Sequence, residues 1–268
     1  MKRNSLLFAT ALLIGFTGCK NNPPQEEAWI SNALDVTTYQ LKLTAEELIG
    51  TNKLPRSIYS GYDINFLDTQ LEREDKSYID SLLPNPPALQ LGQRHLCGIN
   101  DWTSGFFPGS LWYAYEMTGD EELKKRAIEY TNILNPVRKL TQTHDVGFMM
   151  NCSYGNALRL APNDTIKAVL IETADNLCAR FNPEIGCIRS WDFGKWNFPV
   201  IIDNMMNLDL LFNVAKLTGD KKYYDVAVKH AQTTMKNHFR PDYTSYHVVS
   251  YNNDGSVELK QTHQGKDN

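Results

Sequence analysis

The sequence predicts an all-α chain of stacked helix hairpins. Two features carry that expectation. The connector Thr118-Gly119-Asp120 recurs as Thr218-Gly219-Asp220, each time between two helical patterns. In each copy Gly closes one helix and Asp caps the next. The likeness runs on, with Leu123 and Ala127 in the first copy matching Tyr223 and Ala227 in the second. The second feature is a difference within each pair. The second helices (Asp120–Leu134, Asp220–His238) are amphipathic, with Lys and Glu outward. The first helices (Gly105–Tyr115, Val146–Leu158, Val200–Leu217) are apolar nearly all round, which marks a buried helix. Hairpins with one buried and one exposed helix close naturally into a toroid with an inner and an outer ring. An open solenoid is the alternative arrangement.

The elements follow in order. Lys2 and Arg3, then the apolar stretch Leu6 to Phe16, then Thr17-Gly18-Cys19, form a bacterial export signal. The small–small–Cys ending resembles a lipobox, making Cys19 the first mature residue and the site of a lipid anchor to the membrane. Residues 1–19 are thus a signal and 20–28, with Pro23 and Pro24, a tether. Residues 29–49 read as a helix, with Ile30, Ala33, Leu34, Leu41 and Leu48 at mostly helical spacing. Residues 50–100 carry Pro55, Pro84, Pro86 and Pro87 and an acidic patch, and read as a long excursion with one short helix near 67–82. Helical segments then run over about 104–117, 120–134, 146–160, 164–181, 200–217 and 219–238. Pro162-Asn163-Asp164 serves as a third hairpin connector. Ser245 to Tyr251 alternates like a strand and is followed by a turn at Asn253-Asp254-Gly255.

Composition narrows the function. Hydrophobic residues make up 42% of the 268, charged residues 22%, and the net charge is −4, so no nucleic-acid partner is expected. Aromatics reach 11%, which fits a well-filled core and would also supply ring platforms for sugars. Cys97, Cys152, Cys178 and Cys187 lack C-x-x-C spacing and read as buried free thiols, and no His pair is spaced for zinc.

Three segments deliver polar and aromatic groups to the N-terminal edges of the inner helices. These are Asp101 to Gly109, Thr143 to Phe148 and Phe198 to Asn207. Asp203 lies in a run otherwise dominated by apolar residues. A carboxylate buried there loses hydration unless partnered, the condition that makes a proton donor near neutral pH. Asn207 lies at i+4 and should face the same way. An acid favoured only by the helix dipole is the competing reading. Asp145 begins a helix and could be a simple cap, although His144, Val146 and Phe148 around it are not surface-like. Two carboxylates at one mouth resemble the paired acids of sugar-cleaving enzymes. His247 lies in the strand-like segment, where a structural histidine is the plain alternative.

Together these segments resemble the unsaturated glucuronyl hydrolases, glycoside hydrolase family 88. The matching pieces are Leu54-Pro55-Arg56-Ser57, Trp102 to Gly109, Thr143 to Phe148, Ile201 to Asn207, Tyr246-His247 and Thr262-His263-Gln264-Gly265. The resemblance implies an (α/α)6 toroid over residues 29–268. It implies removal of the Δ4,5-unsaturated uronic acid from lyase-generated, glycosaminoglycan-type oligosaccharides by hydration of the C4=C5 enol ether. Asp203 matches the general acid/base and Asp145 the second essential carboxylate. His247, Gln264, Trp102, Trp191 and His144 match substrate-site positions. No metal or organic cofactor is implied, and the expected partner is the unsaturated oligosaccharide. The family continues beyond His-Gln-Gly with further helices, so with about seven of twelve helices the expectation is a C-terminally truncated toroid, inactive alone. An unsaturated rhamnogalacturonyl hydrolase of related fold and a non-catalytic glycan-binding lipoprotein are the alternatives. The export signal places the protein in the bacterial cell envelope, periplasmic or at the outer membrane.

Overall fold

The structure is a computed structural model that describes residues 25–58 and 94–263. The signal with Cys19, the short helix expected near 67–82 and Gln264 lie outside the described residues.

Helix α1 (Gln25–Glu47) precedes three helix hairpins. The first is α2 (Phe106–Thr118) with α3 (Glu121–Ile133). The second pairs α4 with α5 (Asp164–Cys178). Helix α4 is Val146–Met150, a π turn over Asn151–Gly155, and Asn156–Leu160. The third is α6 (Asn204–Thr218) with α7 (Lys221–Asn237).

The connectors work as their residues require. Gly119 and Gly219 take φ of +69° and +75°, a region that costs glycine nothing. Their N–H groups return to the carbonyls of Tyr115 and Ala215 at 2.7 and 2.8 Å. Asp120 Oδ1 accepts from the N–H groups of Glu122 and Leu123, and Asp220 Oδ1 from that of Lys222. Asn163 caps α5 in the same way through Ile166 N–H at 2.9 Å. Lys42 of α1 ion-pairs with Asp120, and Tyr130 Oη–H donates to the Ala45 carbonyl at 2.7 Å, so α1 is tied onto the first hairpin.

Helices α2, α4 and α6 form an inner row and α3, α5 and α7 an outer row. The inner helices cross through glycine. A Cβ on Gly105 would lie 2.1 Å from the Met149 carbonyl oxygen, and one on Gly147 would lie 2.5 Å from Asn207 Cβ. The core fills between the rows, with Leu111, Trp112, Leu123, Leu134, Met149, Met150, Leu177 and Leu208 buried. The inner helices are not buried on every side, as the sequence suggested. Phe106, Tyr113 and Met117 of α2, and Met205, Met206 and Phe212 of α6, remain exposed. The four cysteines of the described residues are unpaired, two of them buried and two half-buried.

One predicted helix start is corrected. The expected helix from 200 begins at Asn204, because Pro199–Ile201 is strand β5. Pro199 lacks an N–H and can only open a strand, while Val200 and Ile201 are β-branched. The other strands are β1 (Leu54–Ile58), β2 (Arg94–Cys97), β3 (Phe181–Asn182), β4 (Cys187–Ile188), β6 (Val248–Tyr251) and β7 (Val257–Gln261). Strands β5, β6 and β7 form one antiparallel sheet, with Ile201 opposite Val248 and Val248 opposite Gln261. The β6–β7 turn holds Gly255 at φ +81°.

Candidate active site

The sheet and the helix starts assemble the site. Strand β5 runs straight into α6, so Asp203 falls at the N-terminus of that helix. Strand β6 lies antiparallel beside it, and Ile202 N–H donates to the His247 carbonyl at 3.0 Å. That register sets His247 Nε2 3.6 Å from Asp203 Oδ2. Strand β7 then brings His263 to the same corner, where its backbone N–H donates to His247 Nδ1 at 3.1 Å. A nitrogen that accepts carries no proton, so neutral His247 holds its proton on Nε2, toward Asp203. Burial pushes the His247 imidazole below its ordinary pKa and keeps the ring neutral near pH 7, although the Asp203 charge acts the other way.

The Asp145 segment is fastened to the same frame by Ser190. His144 N–H donates to the Ser190 carbonyl and Ser190 N–H to the Pro199 carbonyl, both at 2.9 Å, while Ile201 N–H donates to Ser190 Oγ at 2.9 Å. Thr143 Oγ1–H donates to Asp145 Oδ2 at 2.8 Å. His144 Nε2 stands 3.2 Å from Asp145 Oδ1. Both oxygens of Asp145 are therefore engaged, and its orientation is fixed. Burial is the largest influence on His144 and lowers its pKa; the charges of Asp145 and Asp203 both act on it, so the two carboxylates share one locality.

Neither acid is a cap. Asp145 and Asp203 both stand at N-cap positions, with helical backbone angles and no side-chain capping bond. The capping alternative for Asp145 is therefore removed. Asp203 corrects another expectation. It is not enclosed in the apolar run: its side chain is 51% exposed. It stands one residue ahead of α6, and the inward positions are Ile201, Asn204 and Asn207. Asn207 does not face the way Asp203 faces; it is fully buried in the crossing with α4.

Aromatic rings flank the acids on two sides. Trp102 is 48% exposed and stands edge-on to Phe106 and Phe148, whose rings stack at 5.6 Å. On the other side lie Trp191, Phe193, Trp196 and His263. Trp191 was expected to stack on a sugar, yet Phe193 covers it face to face at 4.9 Å, and Trp196 and His263 tilt against it at 5.5 and 5.4 Å. The ring with an open face is Phe193, 48% exposed. His144, likewise expected at the substrate, is 1% exposed and reaches the site only through Asp145. Phe193 was missed because Asp192, Gly194 and Lys195 around it look like an ordinary polar loop; its nearness to Trp191 and Trp196 was the available signal. That loop is held by Arg180, whose guanidinium clasps both oxygens of Asp192 at 3.0 Å and bonds the Thr141 carbonyl. Among the described residues no group of three or more His, Cys, Asp or Glu is placed to hold a metal.

The site thus offers one fixed carboxylate, one open carboxylate beside an imidazole N–H, and exposed ring faces. It can accept and return a proton on a bound, uncharged portion of a sugar whose C–H face rests on an aromatic ring.

Known proteins fit this picture. A family model described only as a domain of unknown function matches residues 1–73. An unsaturated glucuronyl hydrolase of Formosa agariphila is 50% identical over 177 residues, spanning 65% of this chain and 44% of that protein. An unsaturated chondroitin disaccharide hydrolase of Streptococcus agalactiae is 34% identical over 175 residues, spanning 62% of this chain and 43% of that protein. The crystal structure of an unsaturated glucuronyl hydrolase specific for heparin superposes with a TM-score of 0.75 at 40% identity, covering 90% of this chain and 57% of that one. The chain spans about half the length of the curated relatives it matches. The resemblance carried by the motifs therefore holds, and the hairpins are those of an (α/α)6 toroid.

Proposed function

We propose that this relative of the unsaturated glucuronyl hydrolases acts as one, removing a Δ4,5-unsaturated uronic acid from lyase-generated glycosaminoglycan fragments. One observation carries the reading most: Asp145 and Asp203 occupy cap positions without capping, and each faces an imidazole nitrogen. In the proposed reaction Asp203 gives a proton to C4 of the enol ether. As a carboxylate it then assists water at C5. The hemiketal so formed opens and releases the sugar. Asp145, with both oxygens engaged, orients the substrate. Trp102 and Phe193 offer the ring faces, and His247 donates beside Asp203. Gln264 is assigned to the substrate on sequence alone. The names of the relatives support the substrate class, since one acts on chondroitin disaccharides and another on heparin.

The test follows the absorbance of the 4,5-double bond. A full-length form of the protein should consume it in unsaturated chondroitin or heparin disaccharides in preference to unsaturated pectin disaccharides. Asp203→Asn should lower turnover by more than about 100-fold, the scale of lost general acid catalysis, with the melting temperature held. Binding of the disaccharide without loss of the double bond by the complete wild-type protein would sink the hydrolase reading and favour a glycan-binding role.

The same proposal places the protein in the bacterial cell envelope through a lipid on Cys19. The basic start, the Leu6–Phe16 stretch and Thr17-Gly18-Cys19 support it. Labelled palmitate should enter the wild-type protein in a bacterial host and not a Cys19→Ser variant. Equal labelling of both would remove the anchor.

A further inference from the structure

We propose that Asn207 is a positioning residue for Asp145, acting through His144, which it holds in one tautomer. The inference rests on Asp145 belonging to the working site. Asn207 is fully buried, so its amide has no water to satisfy it. Its two ends can be told apart by their partners. The Phe148 backbone N–H lies 2.9 Å from Oδ1, and an N–H only donates, so that end is the carbonyl. The other end is then the NH2 group, and it stands 3.3 Å from His144 Nδ1. An amide nitrogen does not accept, so Nδ1 holds a lone pair. The neutral ring must carry its proton on Nε2, the nitrogen 3.2 Å from Asp145 Oδ1. The contacts run from Phe148 N–H through the Asn207 amide to the His144 ring, whose Nε2 stands 3.2 Å from Asp145 Oδ1.

The packing leaves Asn207 little choice of position. Gly147 meets it so closely that a Cβ there would lie 2.5 Å from Asn207 Cβ and Oδ1. Since Phe148 and His144 both belong to the Asp145 segment and Asn207 to α6, this one side chain joins the two helix starts that bear the two acids. His247 reaches the matching state by other means, its Nδ1 being filled by the His263 N–H. Both carboxylates therefore face an Nε2–H whose ring is turned from behind by an N–H donor.

A side chain that merely fills space would leave the tautomer of His144 free. Two-bond 1H–15N spectra of the whole chain, labelled at histidine, read each ring nitrogen as protonated or bare. Wild-type His144 should be neutral at pH 7, with Nε2 protonated and Nδ1 bare. Asn207→Asp keeps the shape and the acceptor for Phe148 but offers His144 only acceptor oxygens. The variant should move the proton onto Nδ1. In the full-length protein its kcat on an unsaturated glucuronyl disaccharide should fall by about 10- to 100-fold with KM little changed, the usual cost of losing a supporting partner. Wild-type His144 found with Nδ1 protonated overturns the proposal, even if the variant does not fold. So does a folded Asn207→Asp variant that keeps the wild-type tautomer. The expected tautomers in a protein that never consumes the double bond would leave the Asn207 role standing and defeat the hydrolase reading instead.

Discussion

Four aspartates stand at helix N-cap positions among the described residues, and only two of them cap. Asp120 and Asp220 have extended backbones, with ψ of 110° and 115°, which swing the carboxylate back over the first turn. Asp145 and Asp203 have ψ of −19° and −25°, which aim it away. In sequence Asp120, Asp145 and Asp220 look alike, each an acid just ahead of a helical pattern, and Asp203 falls inside the helix expected from 200, because the distinction lies in one backbone angle. The motif around each acid separated them where propensity could not. Phe193 was illegible for a different reason. Nothing in Asp192-Phe193-Gly194-Lys195 says that the ring lies flat over Trp191. The burial of Trp191 leaves Phe193 as the exposed ring on this side, the one the proposed substrate would meet. Phe193→Ala should therefore raise KM for an unsaturated disaccharide about 5- to 150-fold, the range of one aromatic stacking contact of about 1–3 kcal/mol, and change kcat far less. An unchanged KM would return the platform role on this side to Trp191.

At the scale of elements the hairpins were legible because their punctuation is local. Gly119 and Gly219 end helices, Asp120, Asn163 and Asp220 start them, and the outer helices carry a clear amphipathic period. Strand β5 was not legible, because Val200, Ile201 and Ile202 run without a break into the apolar helix and so short a run shows no period. Its partner β6 lies nearly fifty residues on, so only tertiary pairing makes it a strand. The glycines of the inner row were visible but not their purpose. Gly105 lets α2 cross α4 with backbone against backbone, and a methyl there would meet the Met149 carbonyl at 2.1 Å. A carbonyl fixed in a helix cannot turn aside as a side chain can. Gly105→Ala should cost about 1–3 kcal/mol, the range for overpacking. Gly98 has nothing within 4 Å of its added Cβ, so Gly98→Ala is the control, with no such loss expected. Equal urea midpoints for the two variants would mean that the inner helices do not depend on this close crossing.

For the whole molecule, alternating buried and exposed helices left a toroid or an open solenoid and the motifs' family resemblance chose the toroid, while the wiring between its two acids could not be read from sequence. That wiring runs through polar side chains sealed inside, and sealing them has a consequence for the folded state as a unit. His144, His230 and His238 are buried, and burial lowers the pKa of each. His230 is pushed down to about 3 and His238 to about 4, against an ordinary value of 6.5. His230 Nδ1 accepts the Ile188 N–H and His238 Nε2 pairs with the Val200 carbonyl, so both also hold the strands on which the site is built. Between the folded and unfolded values the unfolded chain binds protons that the native chain refuses. Stability must then rise with pH across that window and fall as pH drops below about 6.5, continuing toward 4 for His238 and 3 for His230. Each histidine contributes a slope of up to about 1.4 kcal/mol per pH unit. The ion-paired acids Asp120 and Asp175, whose pKa values are lowered, add their own loss only below about pH 4. Urea midpoints should therefore fall between pH 7 and pH 5, above the range in which Asp120 and Asp175 add their loss, and His230→Gln should flatten that fall. A midpoint constant over this interval would show that water reaches these histidines in the native protein, and that the frame joining Asp145 to Asp203 is looser than its hydrogen bonds indicate.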